Sequence, residues 1–309
     1  MRKKVILLYL LFVVLTTILS CGTKTEEKDI LFINRKDDLG RTVKVKKEGK
    51  RFLPFAPSVT EMIYLVCDTT EIVGRTPHCN YPVAVFSKPV VNNYPPDLEK
   101  ILFLHPDLLI TKDGMLSLQQ AAAIEKMGIP VYFQKYNSVE DIFKGFEELG
   151  EITNHSLQGK KVVDSLRKEL EKYTKVSDSS NLSKKVLILI SRESYFVYGK
   201  DTYASDILHL AGGENAVDSV YENSYPVLTS EYILKINPDI IVGGEHLGLT
   251  SDFFELHKEL KRTNAYKYKQ CFVINEDCIS RPGPRVVEAV KMLRVILEKS
   301  KSYKATHDF

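Results

Sequence analysis

The feature that most constrains this chain is a phrase written twice, about 130 residues apart. The first copy is Glu99-Lys-Ile-Leu-Phe-Leu-His-Pro-Asp-Leu-Leu-Ile110, and the second is Glu231-Tyr-Ile-Leu-Lys-Ile-Asn-Pro-Asp-Ile-Ile-Val242. Glu, Ile, Leu, Pro and Asp recur in register, and each copy ends in an aliphatic triplet. Solenoid units repeat every 20–50 residues or so, so this spacing is too long for one. It implies two lobes of one architecture, each carrying a glutamate at the same structural address. A pair of such lobes encloses a cleft, and clefts hold ligands.

The amino terminus places the chain outside the cytoplasm. Met1-Arg-Lys-Lys4 precedes an uncharged run from Val5 to Leu19, and Ile18-Leu-Ser20 stands before Cys21. A basic head, an apolar stretch and a small residue at the cut form an export signal over residues 1–20. A cysteine just after the cut resembles the lipobox of a bacterial lipoprotein. A membrane span takes about 20 apolar residues, and this run is shorter. Cys21 then carries the lipid, and residues 21–29 form a polar tether of a composition that resists folding. Removing the signal also removes Arg2, Lys3 and Lys4, which takes the formal charge from +3 to neutral. A neutral chain has no general attraction for nucleic acid. Cys67, Cys79, Cys271 and Cys278 remain. Export permits disulfides without fixing their pairing, and buried free thiols fit equally well.

Punctuation and periodicity divide the rest into an N-terminal lobe (30–153), a linking helix (154–176) and a C-terminal lobe (184–300). Residues 30–50 read as a hairpin turning at Asp37-Asp-Leu-Gly40. Arg51-Phe-Leu-Pro-Phe55 reads as a strand. Ser58 and Glu61 have capping-box spacing, predicting a helix from Ser58 that buries Val59, Met62, Ile63 and Val66. Ile72-Val-Gly74 begins a further strand. The first repeat supplies a helix opened by Asp97 or Leu98 and then a strand from Leu108. One helix over residues 154–176 would span about 34 Å, the length of a strut. The second lobe repeats the grammar: a strand from Lys185, a helix ended by Ala211-Gly-Gly213, the second repeat, and a strand from Cys271. Last comes a helix after Pro284 with Val286, Val290, Leu293 and Leu297 on one side. The fold class is α/β: two Rossmann-like lobes with mostly parallel sheets, one long helix between them and a ligand cleft where they meet.

Ligands in such sheets sit outside the carboxyl ends of the strands, so the loops there hold the candidate site. They contain His78, Tyr81, Tyr94, Tyr195, Phe196, Tyr225, Asp277 and Arg281. The chain has 16 tyrosines and no tryptophan, and a tyrosine's apolar ring and polar tip suit a large amphipathic ligand. A strand-end tyrosine also serves simply to cap the core. His78, between Pro77 and Cys79, can ligate cobalt or haem iron, or act as an ordinary loop residue. His78, Cys79 and a distant cysteine lack the paired spacing of a zinc site, and no metal site is assigned. Arg285 stands at a helix start, where the macrodipole disfavours a cation, so it needs an internal carboxylate or an anionic ligand group beside it. No phosphate loop, no Gly-x-Ser-x-Gly elbow and no His-Glu-x-x-His occurs. Nothing assembles a nucleophile, base and orienter, so an enzyme is not expected.

Gly40-Arg-Thr-Val43, Ala56-Pro-Ser-Val-Thr-Glu61, the two repeats, Ala211-Gly-Gly-Glu-Asn215 and Arg281-Pro-Gly-Pro-Arg285 together resemble the helical-backbone substrate-binding proteins of ABC importers. The resemblance covers nearly the whole mature chain. It implies a monomer that binds cobalamin, haem or a ferric siderophore and moves its lobes little. It also implies that Glu99 and Glu231 dock into arginine pockets of the membrane permease. Gly74-Arg-Thr-Pro-His-Cys-Asn-Tyr-Pro82 is most similar to the cobalamin-binding branch, in which Tyr94, Tyr225 and Asp277 fall at ligand-contacting positions. The missing tryptophan departs from that branch. Cobalamin is thus expected as the transported ligand, with haem as the alternative and no resident cofactor. A ferric siderophore would be favoured if Arg75, Arg192, Arg281 and Arg285 converged on one pocket.

Overall fold

The two copies of the repeated phrase become the same structure twice. The computed structural model describes residues 31–174 and 184–305. In the first copy, helix α2 (Leu98–Phe103) leads into strand β4 (Leu108–Lys112). In the second, helix α7 (Ser230–Ile236) leads into strand β8 (Ile240–Gly244). The capping logic is shared. Asp97 accepts the Lys100 N–H at the start of α2, and Thr229 accepts the Tyr232 N–H at the start of α7. Such caps satisfy backbone donors that a helix leaves unpaired.

The two strands lie in different sheets. β4 runs between β3 (Phe52–Pro54) and β5 (Val131–Gln134), all parallel. β8 runs between β6 (Lys185–Leu189) and β9 (Cys271–Ile274), also parallel, with β7 (Glu214–Asn215) beyond β6. An antiparallel hairpin, β1 (Phe32–Lys36) and β2 (Thr42–Lys46), precedes the first sheet. Its turn is held by the Asp37 carboxylate, which accepts the N–H groups of Leu39 and Arg41 at 3.1 and 2.9 Å, and Gly40 supplies the left-handed φ of +77°.

Side-chain alternation gives each sheet two apolar faces. Leu53, Leu109, Val131 and Phe133 form the core of the first sheet's outer face, against Ile101 of α2 and Ile124 of α3 (Leu118–Lys126). Leu187, Leu189 and Ile241 do the same for the second, with Ile233 of α7 and Phe253 of α8 (Ser251–Leu256). The inner faces share one cluster. Phe52, Leu108, Ile110 and Tyr132 join Val186, Ile188, Ile240 and Val242 through four helices that both lobes contribute. These are α1 (Pro57–Val66), α4 (Val139–Ile152), α6 (Tyr203–Leu210) and α11 (Val286–Ala305), with α5 (Ser156–Thr174) packed on both α1 and α11. The remaining short helices are α9 (Asn264–Lys267) and α10 (Glu276–Ser280). The described residues from Phe32 onward form one compact unit.

Three expectations need correction. Helix α1 begins at Pro57 with Ala56 as an N-cap lacking a side-chain bond, so there is no capping box. Proline favours the first helical position, which moves Ser58 and Glu61 inside the helix, where both are buried. The strand at Ile72–Gly74 is reduced to a single parallel bridge between Ile72 and Phe52. The linking helix starts at Ser156, because Asn154 takes a left-handed φ of +65° and turns the chain sharply out of α4. Across that turn α4 and α5 cross closely. A Cβ on Gly159 would lie 2.6 Å from the Phe146 carbonyl oxygen, so only glycine fits. The proposed signal, the tether and Cys21 lie outside the described residues, as do residues 175 and 176.

Candidate functional site

Loops at the carboxyl ends of the strands in both lobes face one another. After β4 and β5, Lys112, Asp113, Lys135 and Tyr136 line one side of a pocket of about 410 Å³, and Asn223 and Tyr225 line the other. Tyr136 is buried at its base, its hydroxyl donating to Gln134 Oε1 at 2.5 Å, while Gln134 Nε2 donates to the Gly145 carbonyl. This is the placement that a parallel sheet dictates, since its strands all point the same way.

An aromatic group stands on the C-terminal side. The chain leaves β6, turns back, and pairs again through the Phe196 carbonyl and the Tyr198 N–H. Residues two apart in extended backbone share a face, so Phe196 and Tyr198 both meet Tyr225, with ring centroids 6.4 and 5.7 Å apart. Tyr225 is 37% exposed and presents its ring to the pocket. Burial raises the hydroxyl pKa of both Tyr198 and Tyr225, keeping them neutral hydrogen-bonding groups.

A charge cluster ties the rims together. Arg285, just ahead of α11, donates to both carboxylate oxygens of Glu61 on α1, at 2.9 and 2.5 Å. Arg281 reaches Glu61 at 3.4 Å, Asp277 at 2.8 Å and the Asn80 side-chain oxygen at 2.5 Å. The Tyr81 ring lies over the Arg285 guanidinium, 4.9 Å from centroid to carbon. The partner that Arg285 needs is therefore an internal carboxylate. Glu61 is only 2% exposed. Burial pushes its carboxyl up, while the hydrogen bonds and charges of Arg285 and Arg281 pull it back; the net direction is upward.

His78 rides on a pinned loop. Cys79 is buried, with the hydroxyls of Thr60 and Thr76 at 3.0 and 3.1 Å from its sulfur. The Arg75 guanidinium donates to the carbonyls of Thr76, Pro77 and Cys79. The loop is thus fixed from behind, and His78 faces solvent. Asn80 and Tyr81 join it to the second lobe through Arg281 and Arg285.

The sequence-predicted residues therefore separate into groups. Tyr225 stands at the pocket, with Phe196 packed against its ring. Tyr81, Asp277 and Arg281 meet in the charge cluster, with His78 on the adjoining loop. Tyr94 stands apart on its own loop, 87% exposed. Tyr195 packs in the outer core of the second lobe, its ring tilted against His257 at 4.8 Å and its hydroxyl on Glu259. Glu99 and Glu231 are both exposed, each at the second position of its helix.

Sequence reasoning marked the loop that begins at Lys112 but not the lysine itself. Its ammonium forms no ion pair among the described residues, and burial lowers its pKa, with the Asp113 charge acting in the opposite sense. The only available signal was its position, two residues after the aliphatic triplet of the first repeat. The four arginines named above do not converge on the pocket. Arg281 and Arg285 are engaged by Glu61, Arg75 by loop carbonyls, and Arg192 by the Leu247 carbonyl at 2.7 Å.

The model of the periplasmic binding protein family matches residues 55–278. The chain belongs to this family. The family expected from the sequence is the family found, and this periplasmic binding protein is a carrier of ligand rather than an enzyme. It is 26% identical over 308 residues to an uncharacterized ABC transporter substrate-binding lipoprotein, YvrC, of Bacillus subtilis, covering 95% of this chain and 96% of that one. Its fold is similar to the periplasmic vitamin B12 binding protein BtuF of Vibrio cholerae, with TM-score 0.73, 23% identity, and coverage of 82% and 98%. It is equally similar to the periplasmic heme-binding protein RhuT of Roseiflexus sp. RS-1 in its apo form, with TM-score 0.73, 18% identity, and coverage of 82% and 99%. No helix among the described residues is long and apolar enough to cross a membrane.

Proposed function

We propose that this chain is the lipid-anchored substrate-binding protein of an ABC importer, held outside the cytoplasm through Cys21, and that it delivers a corrinoid, cobalamin, from the interlobe cleft to the permease. The observation that carries the reading is the pocket at the strand ends, with Tyr225 on its wall and two further aromatic rings behind it. Tyr225, backed by the rings of Phe196 and Tyr198, offers an apolar face to a macrocycle, and its neutral hydroxyl and Asn223 offer polar contacts to the amide edge. The vitamin B12 binding protein among the related folds supports the choice of ligand. For delivery, Glu99 and Glu231 give each lobe an exposed carboxylate at an equivalent position. Glu99 stands among exposed Leu98, Leu102 and Phe103, a charged group in an apolar field of the kind that fits a protein partner.

Haem is the second reading. It is favoured by His78, an exposed imidazole on a rigid loop, and by the heme-binding relative of the same fold. A siderophore is disfavoured because the arginines that would hold it are already engaged within the protein.

The test is titration of the detergent-solubilised chain with cyanocobalamin, haemin and a ferric siderophore, followed by absorbance and heat. Cyanocobalamin should bind with a Kd below about 10 µM, equivalent to roughly −7 kcal/mol. Weaker cyanocobalamin binding together with a tight haemin complex would transfer the assignment to haem.

A further inference from the structure

We propose that Cys67, Glu71 and His155 form a binding site for one zinc-class divalent ion, at the end of the N-terminal lobe opposite the cleft. Cys67 terminates α1, whose other end follows β3 on the cleft side. Glu71 ends a short 3-10 turn (Thr69–Glu71) capped by Asp68. His155 sits in the sharp turn between α4 and α5, its N–H bonded to the Gly150 carbonyl at 2.7 Å. One donor atom from each of the three lies within 4.8 Å of the others.

The hydrogen bonds around the triad point to an ion. His155 Nδ1 is 2.7 Å from the Thr153 carbonyl oxygen. A carbonyl only accepts, so Nδ1 carries the proton and Nε2 is left as the donor atom for a metal. This backbone contact is the outer-shell arrangement that orients metal-bound histidines. His155 Nε2 faces Glu71 Oε2 at 3.4 Å. Glu71 is 8% exposed, and its Oε2 accepts no hydrogen bond, although it is buried. Two lone pairs meet there unless a proton or a cation lies between them. A proton would make an imidazolium–carboxylate pair and leave the Cys67 thiol with only its Thr153 hydrogen bond. An ion uses all three.

The chemistry of the set suits zinc. Thiolate, imidazole and carboxylate are the three ligand types zinc takes, at about 2.0–2.3 Å, which places tetrahedral neighbours roughly 3.3–3.8 Å apart. The His155–Glu71 separation already falls in that range, and a small rotation of the side chains brings in the sulfur. Thiolate and carboxylate together balance a divalent charge, and the thiol proton leaves to solvent on binding. The other Glu71 oxygen is held by Lys50 at 2.6 Å, a second outer-shell contact that does not compete for Oε2. A surface hollow of about 680 Å³, lined by His155, Asn154, Glu151 and Lys161, borders the His155 side of the triad. Water completes the fourth position.

The test uses the full-length chain in detergent, reduced, stripped with a chelator and loaded with cobalt(II) in place of zinc. One cobalt per chain should bind, with a sulfur-to-cobalt charge-transfer band in the near ultraviolet and visible bands of a tetrahedral ion. Zinc should bleach both. Cys67→Ser should lose the charge-transfer band, and Cys271→Ser should keep it. His155→Gln should weaken binding more than about 100-fold, beyond the 10–100-fold typical of an outer-shell change. Absence of stoichiometric binding, or a band that survives Cys67→Ser, overturns the site and leaves an ion pair only. Should Cys67→Ser fail to fold, His155→Gln decides, because its side chain is partly exposed. A zinc-induced rise in Tm seen in the wild-type chain and lost in that variant supports the site. Equal rises in both refute it.

Discussion

Replacing Arg285 by methionine is the most direct perturbation of the joint between the lobes. Glu61 would lose two charge-assisted hydrogen bonds and keep only Arg281 at 3.4 Å. Breaking a buried pair by removing one member typically costs about 3–5 kcal/mol, most of it from the charge left behind. The surviving contact puts Arg285→Met near the lower end, about 3 kcal/mol. Unfolding entropy is about 2.1 cal/mol/K per residue, or roughly 0.6 kcal/mol/K for about 280 residues, so Tm should fall by about 5 °C. Glu61→Met should cost about 2–3 kcal/mol, because Arg281 retains Asp277 and Arg285 retains the Tyr81 ring. The double variant should return to within about 1 kcal/mol of wild type, since burying both charges was itself costly. Urea unfolding followed by circular dichroism gives all four values, with a constant m checking that the unfolded reference is unchanged. A coupling below about 0.5 kcal/mol would mean the two residues act independently, and the account of the joint would fail.

Other predictions concern the pocket, the helix crossing and the rims. Tyr225→Ala should weaken cyanocobalamin about 10-fold, from roughly 1.4 kcal/mol of lost aromatic contact, whereas Tyr195→Phe should cost about 1 kcal/mol of stability and leave affinity unchanged; calorimetry and urea unfolding separate the two effects. Burial sets the pKa of Lys112 lower in the folded chain than in the unfolded one. The charged form therefore penalises the fold at neutral pH, and the penalty fades as pH rises through the folded value. Lys112→Met should accordingly be more stable than wild type at pH 7, with the gap narrowing in alkali. Gly159→Ala should destabilise by about 1–3 kcal/mol, because its methyl meets the Phe146 carbonyl; thermal unfolding reads this directly. Glu99→Ala combined with Glu231→Ala should abolish uptake in cells while leaving ligand affinity intact, and a loss of affinity would place those residues in the pocket or the core instead.

Local pattern and internal repetition made the architecture legible. The echoed phrase located β4 and β8, and the apolar spacing located the buried faces of α1 and α11. Both readings depend only on neighbours in the chain. The mistakes share the opposite character. Ser58 and Glu61 have the spacing of a capping box, but Pro57 starts the helix one residue early, and Glu61 answers to an arginine 224 residues away. The misplaced charge of Arg285 announced that a partner existed; nothing in the sequence named it. Tyr195 and Phe196 are adjacent, and extended backbone sends adjacent side chains to opposite faces, one into the core and one onto the Tyr225 ring. Choosing between them requires the register of the strand return after β6, which tertiary pairing sets. Lys112 was hidden for a related reason: it faces residues 222–225 across the pocket, and only the fold brings them together.

The inner layer of apolar side chains runs without a break from one sheet to the other. Any large swing of the halves would have to tear that layer and expose it to water. Occupancy therefore cannot be announced by a jaw snapping shut. In the proposed delivery role, a membrane partner would sense the cargo through the loops at the mouth, and unloading would lever those loops apart while the body stays rigid.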